Sequence, residues 1–250
     1  MIWTIAQRDL QSLFFSPLAW IILAMSQVIL AYLFIHQLNQ FLDLQAQFGA
    51  MQNAPGATEM VAMPTLANIA IILLLITPLL TMRLISDERR QHTLSLLFSA
   101  PVSMSEIILG KYLSMLLFML LVISLFSLMP LSLLIGGRLD FGLFASGLLG
   151  LLLLLASFSA AGLYASCLTE QPAVAAVISF GFLIILWLGD WAVQTDNTLA
   201  SLFAYISLLT HYEPLLQGQI NSADLFYYLL FSLTFLVLSI RRLDADRLQH

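Results

Sequence analysis

The sequence predicts an all-α polytopic membrane protein. It has six transmembrane helices, an N-terminal interfacial helix before the first, and a re-entrant or interfacial element before the last. Three observations predict this fold class. The 250 residues are 60% hydrophobic and only 9% charged, whereas soluble domains carry about 25% charged residues, and such a composition cannot cover a water-facing exterior. Apolar runs near the length of a bilayer crossing, about 20 residues, recur six times. Eight of the nine Lys and Arg then fall on one side of that six-crossing pattern, the asymmetry that orients membrane proteins. Residues 1–250 read as a single transmembrane domain.

The elements follow in order. Trp3–Phe15 is an amphipathic helix lying in the interface: Trp3, Ala6, Leu10, Leu13 and Phe14 share one face, with Thr4, Gln7, Arg8 and Gln11 on the other. Membrane anchoring and contact with a cytosolic partner are both open to it. The first span is Pro17–Ile35, opened by a Ser16 cap and a proline at the first helical position. Asn39–Met63 is polar and holds Asn53, Pro55 and Gly56, so it reads as a loop with some helix. The second span is Pro64–Met82. The third is Tyr112–Ile135, and Ser103-Met-Ser-Glu106 forms a capping box that starts its helix at Met104. Phe141–Leu168, capped by Asp140, is the fourth, and Pro172–Gly189 the fifth. In Asp190–Ala223 the apolar middle, Leu199–Leu209, is too short to cross, and Pro214 and Gly218 break it. Leu225–Ile240, capped by Ser222 or Asp224, is the sixth span, short enough to draw Arg241 and Arg242 toward the headgroups.

Six crossings put both termini on one side. With them lie Arg8, Arg83, Arg89, Arg90, Lys111, Arg241, Arg242 and Arg247, and only Arg138 falls opposite. The acids divide evenly, so Lys and Arg set the orientation and both termini are cytoplasmic. Trp20 falls near the inner edge, Trp187 and Trp191 near the outer. The chain shows no cleavable signal peptide, because its first apolar run is long enough to span. Nine scattered basic residues make no track for nucleic acid. The single cysteine, Cys167, excludes an internal disulfide and a cysteine-cluster metal site, and reads as a small buried hydrophobe.

No catalytic motif is present: no G-x-x-x-x-G-K-[ST] phosphate loop, no H-E-x-x-H, no G-x-S-x-G. His36, His92, His211 and His250 are dispersed, so no metal or cofactor site is expected and the chain is not expected to be an enzyme. Ser157, Ser159 and Ser166 have no intramembrane base; the run Ser157-Phe-Ser-Ala-Ala-Gly162 reads as a close helix contact. Asn68 reads as an interhelical hydrogen bond. No span carries a charge in its centre, where ion-coupled transporters place one, so motion is powered from outside the bilayer. A secondary transporter and a scaffold that transports nothing remain as alternatives.

Several segments carry a resemblance. Ala6-Gln-Arg-Asp-Leu10 followed by Phe15-Ser-Pro-Leu-Ala-Trp20 is similar to an interfacial helix meeting an F-x-S-P-x-A-Y entry, with Asp9 at a usual glutamate and Trp20 at the aromatic place. Ile85-Ser-Asp-Glu88, Thr93-Leu-Ser-Leu-Leu97, Ala100-Pro-Val-Ser103 and Ile108-Leu-Gly-Lys111 follow a pattern of acid, G-T-L-x-L-L, P-V/L-S turn and G-K, with His92 at the usual glycine. His211-Tyr-Glu-Pro-Leu-Leu-Gln-Gly218 resembles H-F-x-x-F-x-x-G. Over essentially its whole length the chain resembles an ABC-2 class permease subunit. It is most similar to the gliding-motility-associated permeases and their multicopper-enzyme-maturation relatives.

The resemblance implies a bacterial inner-membrane exporter subunit that forms the pathway with a second copy or a paralogue. ATP and Mg would be bound by a separate cytosolic ABC ATPase, and a periplasmic or auxiliary membrane subunit could join the assembly. It further implies a coupling helix after the second span: Asp87, Glu88, Arg89 and Arg90 would meet the ATPase, packed by Leu84, Leu94, Leu97 and Phe98, with Glu88 alternatively bracing its own chain. His211, Glu213 and Gly218 mark the outer re-entrant segment, which caps the pathway or packs on the outer face.

Overall fold

A computed structural model describes residues 1–48, 56–93, 102–136, 139–189 and 205–247. Every regular element among the described residues is helical. Among the described residues five helices are long and apolar enough to cross a bilayer, so the chain is a multi-pass membrane protein.

Helix α1 (Ile2–Phe15) turns at Ser16 into α2 (Pro17–Phe48). The first span was expected to end at Ile35, but the helix runs on through Phe48. No glycine or proline interrupts 18–48, and Gln, Leu and Ala there are good helix formers. At 1.5 Å per residue its 32 residues reach about 48 Å, past a hydrocarbon core of about 30 Å. A π-helical turn, Thr58–Ala62, leads into α3 (Met63–Thr81), and after a break at Met82 comes α4 (Arg83–Arg90). Pro78 weakens the ladder before that break by removing a backbone donor.

The next helix, α5 (Met104–Leu131), starts on the expected capping box: the Glu106 N–H donates to Ser103 Oγ at 3.2 Å, and the Ser103 N–H donates to Glu106 Oε2 at 3.0 Å. A 3-10 turn at Ser132–Ile135 ends it. Asp140 caps α6 (Phe141–Leu168) by accepting from the Gly142 and Leu143 N–H groups. Pro172 opens α7 (Pro172–Leu188), whose 17 residues are at the short limit for a crossing. The short α8 (Leu208–Leu216) precedes α9 (Ser222–Arg247).

Helix α6 is the centre, packed by α3, α4, α5, α7, α8 and α9. The small-residue reading of Ser157–Gly162 holds. A Cβ at Gly162 would lie 2.2 Å from Thr81 Oγ1, so α3 and α6 meet only because that side chain is absent. Ser157 Oγ lies 3.2 Å from Ser232 Oγ on α9. Cys167 is buried, as expected. The expected interhelical bond of Asn68 is not found among the described residues. Thr65 instead donates to Gln37 Oε1 (2.8 Å), and Tyr212 OH to the Leu66 carbonyl (3.2 Å).

Two expectations about breaks and caps change. Pro214 lies inside α8 rather than ending it. The end comes from Gly218, at φ 78°, where the Gln219 N–H reaches the Pro214 carbonyl and the Gly218 N–H the Leu215 carbonyl. Asp224 lies within the first turn of α9, and its Oδ1 is bonded to His211. Of the apolar run Leu199–Leu209, residues 199–204 lie outside the described residues, as does Trp191.

Candidate functional site

Helix α4 continues α3 out of the apolar bundle and is the most polar helix among the described residues. Its first turn is capped by a side chain from another helix. Ser166 Oγ on α6 accepts from the backbone N–H groups of Ile85 (3.0 Å) and Ser86 (3.1 Å), and donates to the Met82 carbonyl (3.0 Å). One hydroxyl thus satisfies two backbone N–H groups of the kind a helix start leaves unpaired, and shares the Met82 carbonyl with the Ser86 hydroxyl. Leu84, Ile85 and Ser86 are buried in the same contact. The far end closes in a Schellman motif: the Thr93 N–H bonds the Glu88 carbonyl and the His92 N–H the Arg89 carbonyl, both at 3.0 Å. His92 sits at the left-handed position, φ 55°. That is the residue standing at the usual glycine, and the turn geometry a glycine favours is kept without one.

Two neighbouring charges on α4 point to opposite sides. Glu88 Oε1 accepts from Lys111 Nζ on α5 (2.9 Å) and from Arg8 Nη2 on α1 (3.2 Å). Asp9 completes the ring, with Oδ2 3.0 Å from Lys111 Nζ and Oδ1 2.9 Å from Arg8 Nη2. The four groups balance in charge, and Lys111 is only 2% exposed. A lysine this buried stays charged only with carboxylates in contact. Arg89 pairs on the other side with Asp246 near the end of α9, and Arg242 approaches the same carboxylate at 3.8 Å. The fit is incomplete: Glu88 Oε2 and Arg89 Nε are buried with no hydrogen-bond partner.

The N-terminal helix is seated firmly on α5. A Cβ at Gly110 would fall 2.9 Å from Ile5 Cβ, and Phe14 meets Phe118 edge to face at 5.5 Å. Ala6 is buried as the amphipathic pattern predicts, whereas Trp3, assigned to the same face, is exposed.

Asp87 and Arg90 form no ion pair among the described residues. Together with Arg83, His92, Glu170 and Gln171 they line an open groove of about 1060 Å³ between α4 and the α6–α7 turn. Leu94, Leu97 and Phe98 lie outside the described residues.

At the opposite end of the bundle, His211 on α8 is buried and bonded to Asp224 on α9 at 2.6 Å. Glu213 on the same helix is exposed, and Gly218 terminates it. The structure thus brings Asp87, Glu88, Arg89 and Arg90 together at one end and His211 and Gly218 at the other. Sequence reasoning missed Asp9, Lys111, Ser166 and Asp246 as partners of α4, and Asp224 as the partner of His211. The acid at 9 and lysine at 111 were visible at membrane edges, but nothing in the spacing pairs residues so far apart.

Five long apolar helices among the described residues and a charged helix continuous with one of them describe a polytopic membrane protein. Residues 3–246 match the sequence profile of the ABC-2 family transporter proteins. The chain belongs to that family, as a membrane permease subunit, and such permeases typically pair with a cytosolic ATPase. No sequence matched the chain in a comparison with curated proteins.

Proposed function

We propose that this chain forms the membrane pathway of a bacterial inner-membrane exporter and is driven through α4 by a separate cytosolic ABC ATPase. By motif it resembles the gliding-motility and multicopper-maturation permeases. In this reading the chain crosses six times with both termini in the cytosol. α7 is the short fifth span, and a second copy or a paralogue completes the pathway.

One observation carries the reading. A short charged helix prolongs a membrane span and presents Asp87 and Arg90 to an open groove. A partner seated there can move α4, and α4 can move α3 and α6, because packed helices shift as rigid bodies. Glu88 and Arg89 act differently. They tie α4 to α1, α5 and α9, so the partner's stroke is shared among four helices. Leu94 and Leu97 are proposed to pack the same contact, and α1 to hold the assembly at the membrane surface.

Reconstituted vesicles test the reading. With the cognate ATPase and ATP, substrate moves in one direction and hydrolysis rises when substrate is present. Flux driven by an ion gradient without ATP, or hydrolysis by the purified chain alone, contradicts it.

A further inference from the structure

The end of the bundle away from α4 holds a second polar site that the proposed coupling does not use. His211 is buried between α8 and α9, and both of its ring nitrogens face oxygen atoms. Nδ1 lies 2.6 Å from Asp224 Oδ1, and Nε2 lies 3.0 Å from the Tyr205 carbonyl oxygen. A carbonyl only accepts, so Nε2 must carry a hydrogen. The Nδ1–Oδ1 contact needs a hydrogen of its own, whether it is drawn as imidazolium with carboxylate or as imidazole with carboxylic acid. In either form the pair carries one proton more than a neutral histidine beside an ionised aspartate.

The surroundings suit that proton. The Tyr227 ring stacks on the imidazole at 4.0 Å, and Tyr205 and Tyr228 meet it edge-on at 5.5 and 6.5 Å. Stacking over a π face stabilises a cationic ring. Tyr227 OH donates to the Ile206 carbonyl (2.5 Å) and Tyr228 OH to the Leu208 carbonyl (2.7 Å). Asp224, Tyr205, Tyr227 and Tyr228 are the titratable groups facing the ring among the described residues. The remaining oxygen, Asp224 Oδ2, is buried and has no hydrogen-bond partner among the described residues, so an unneutralised carboxylate there is costly.

We infer that His211 and Asp224 form a proton-binding site whose occupancy latches the 205–216 segment to α9. When the proton leaves, two acceptors face each other, either at Nδ1 and Oδ1 or at Nε2 and the Tyr205 carbonyl. The contact then turns from attractive to repulsive. The latch therefore holds while the shared proton is bound and weakens when it leaves. α8 stays seated on α6, where Ser146 donates to the Leu215 carbonyl (2.8 Å) and a Cβ at Gly150 would meet Leu215. Unlatching therefore separates α8 from α9, not α8 from the bundle.

Hydrogen–deuterium exchange of residues 205–216 in the full chain, corrected for intrinsic exchange, tests this between pH ~6 and ~10, a window that brackets ordinary imidazole titration. The wild type loses about tenfold in protection as pH rises. Asp224→Asn stays protected throughout, because its amide N–H donates to Nδ1 of a neutral ring and both contacts are made without a shared proton. His211→Ala shows throughout the lower protection that the wild type reaches at high pH. Wild-type protection that ignores pH overturns the proposal, and so does Asp224→Asn behaving like His211→Ala. Should the variants not fold, nitrogen NMR of wild-type His211 decides: a neutral ring with an unshared Nδ1 lone pair at pH ~6 overturns it. None of these readouts involves an ATPase, so the latch and the coupling reading fail separately.

Discussion

At the scale of single residues, three positions carry more than their side-chain types suggest. His92 is the one non-glycine with positive φ among the described residues, at 55°. The left-handed conformation costs an ordinary residue about 1–2 kcal/mol, so His92→Gly is expected to stabilise the chain by about 1 kcal/mol in denaturant unfolding, and His92→Ala is not. Ser166→Ala removes the hydroxyl that accepts from the Ile85 and Ser86 N–H groups. Backbone groups left buried without partners cost about 1–3 kcal/mol, and faster amide exchange at Ile85 and Ser86 locates the damage. Gly162→Ala places a methyl 2.2 Å from Thr81 Oγ1 and is expected to lower stability by about 1–3 kcal/mol, the range of overpacked cores. The sequence marked Ser166 and Gly162 as packing residues, because small residues cluster in helix contacts. It did not reveal that Ser166 caps another helix, because the backbone groups it serves are some eighty positions away.

At the scale of elements, α4 is held in two ways. Its packed contact is with α6 through Leu84, Ile85 and Ser86; its other ties are charges, Glu88 to α1 and α5 and Arg89 to α9. Burial separates the charges by strength. Lys111→Met leaves Asp9 and Glu88 facing each other with one cation fewer, in a site where breaking an ion pair costs about 3–5 kcal/mol. Arg8 is 56% exposed along its side chain, and Arg8→Met is expected to cost about 0–1 kcal/mol. Equal losses for the two variants in denaturant titrations contradict the assigned geometry. Most helices were legible beforehand: the capping box at Ser103, the Asp140 cap and the proline at 172 each start a helix as expected. The length of α2 was not, since the search for spans stops where apolar character stops, and a helix can continue in polar residues. The ion-pair ring was not legible either. A charge near a membrane edge reads as a solvated flank until the fold brings its counter-charge against it.

At the scale of the whole molecule, the account joins a membrane pathway to an engine on another chain. Six crossings predict that tags fused at residue 1 and residue 250 are both reached by a membrane-impermeant reagent only from the cytosolic side. Labels on opposite sides would instead require an odd number of crossings. The charge asymmetry oriented the chain but could not separate charges that meet a partner from charges that brace the fold. In the structure Arg89 is paired to Asp246 while Arg90 faces the groove, and on the proposed reading only Arg90 is left to meet the partner. Arg241, Arg242 and Arg247, read from the sequence as membrane anchors, sit on a helix end that also reaches α4 through Asp246. The most direct measurement is ATP hydrolysis by the purified complex of this chain with its ATPase, comparing wild type and Arg90→Glu. Reversal of a docking charge is expected to lower coupled hydrolysis about tenfold or more, because like charges then meet in the contact, with insertion and thermal stability unchanged. Wild-type hydrolysis in a fully assembled Arg90→Glu complex would contradict the role given to α4.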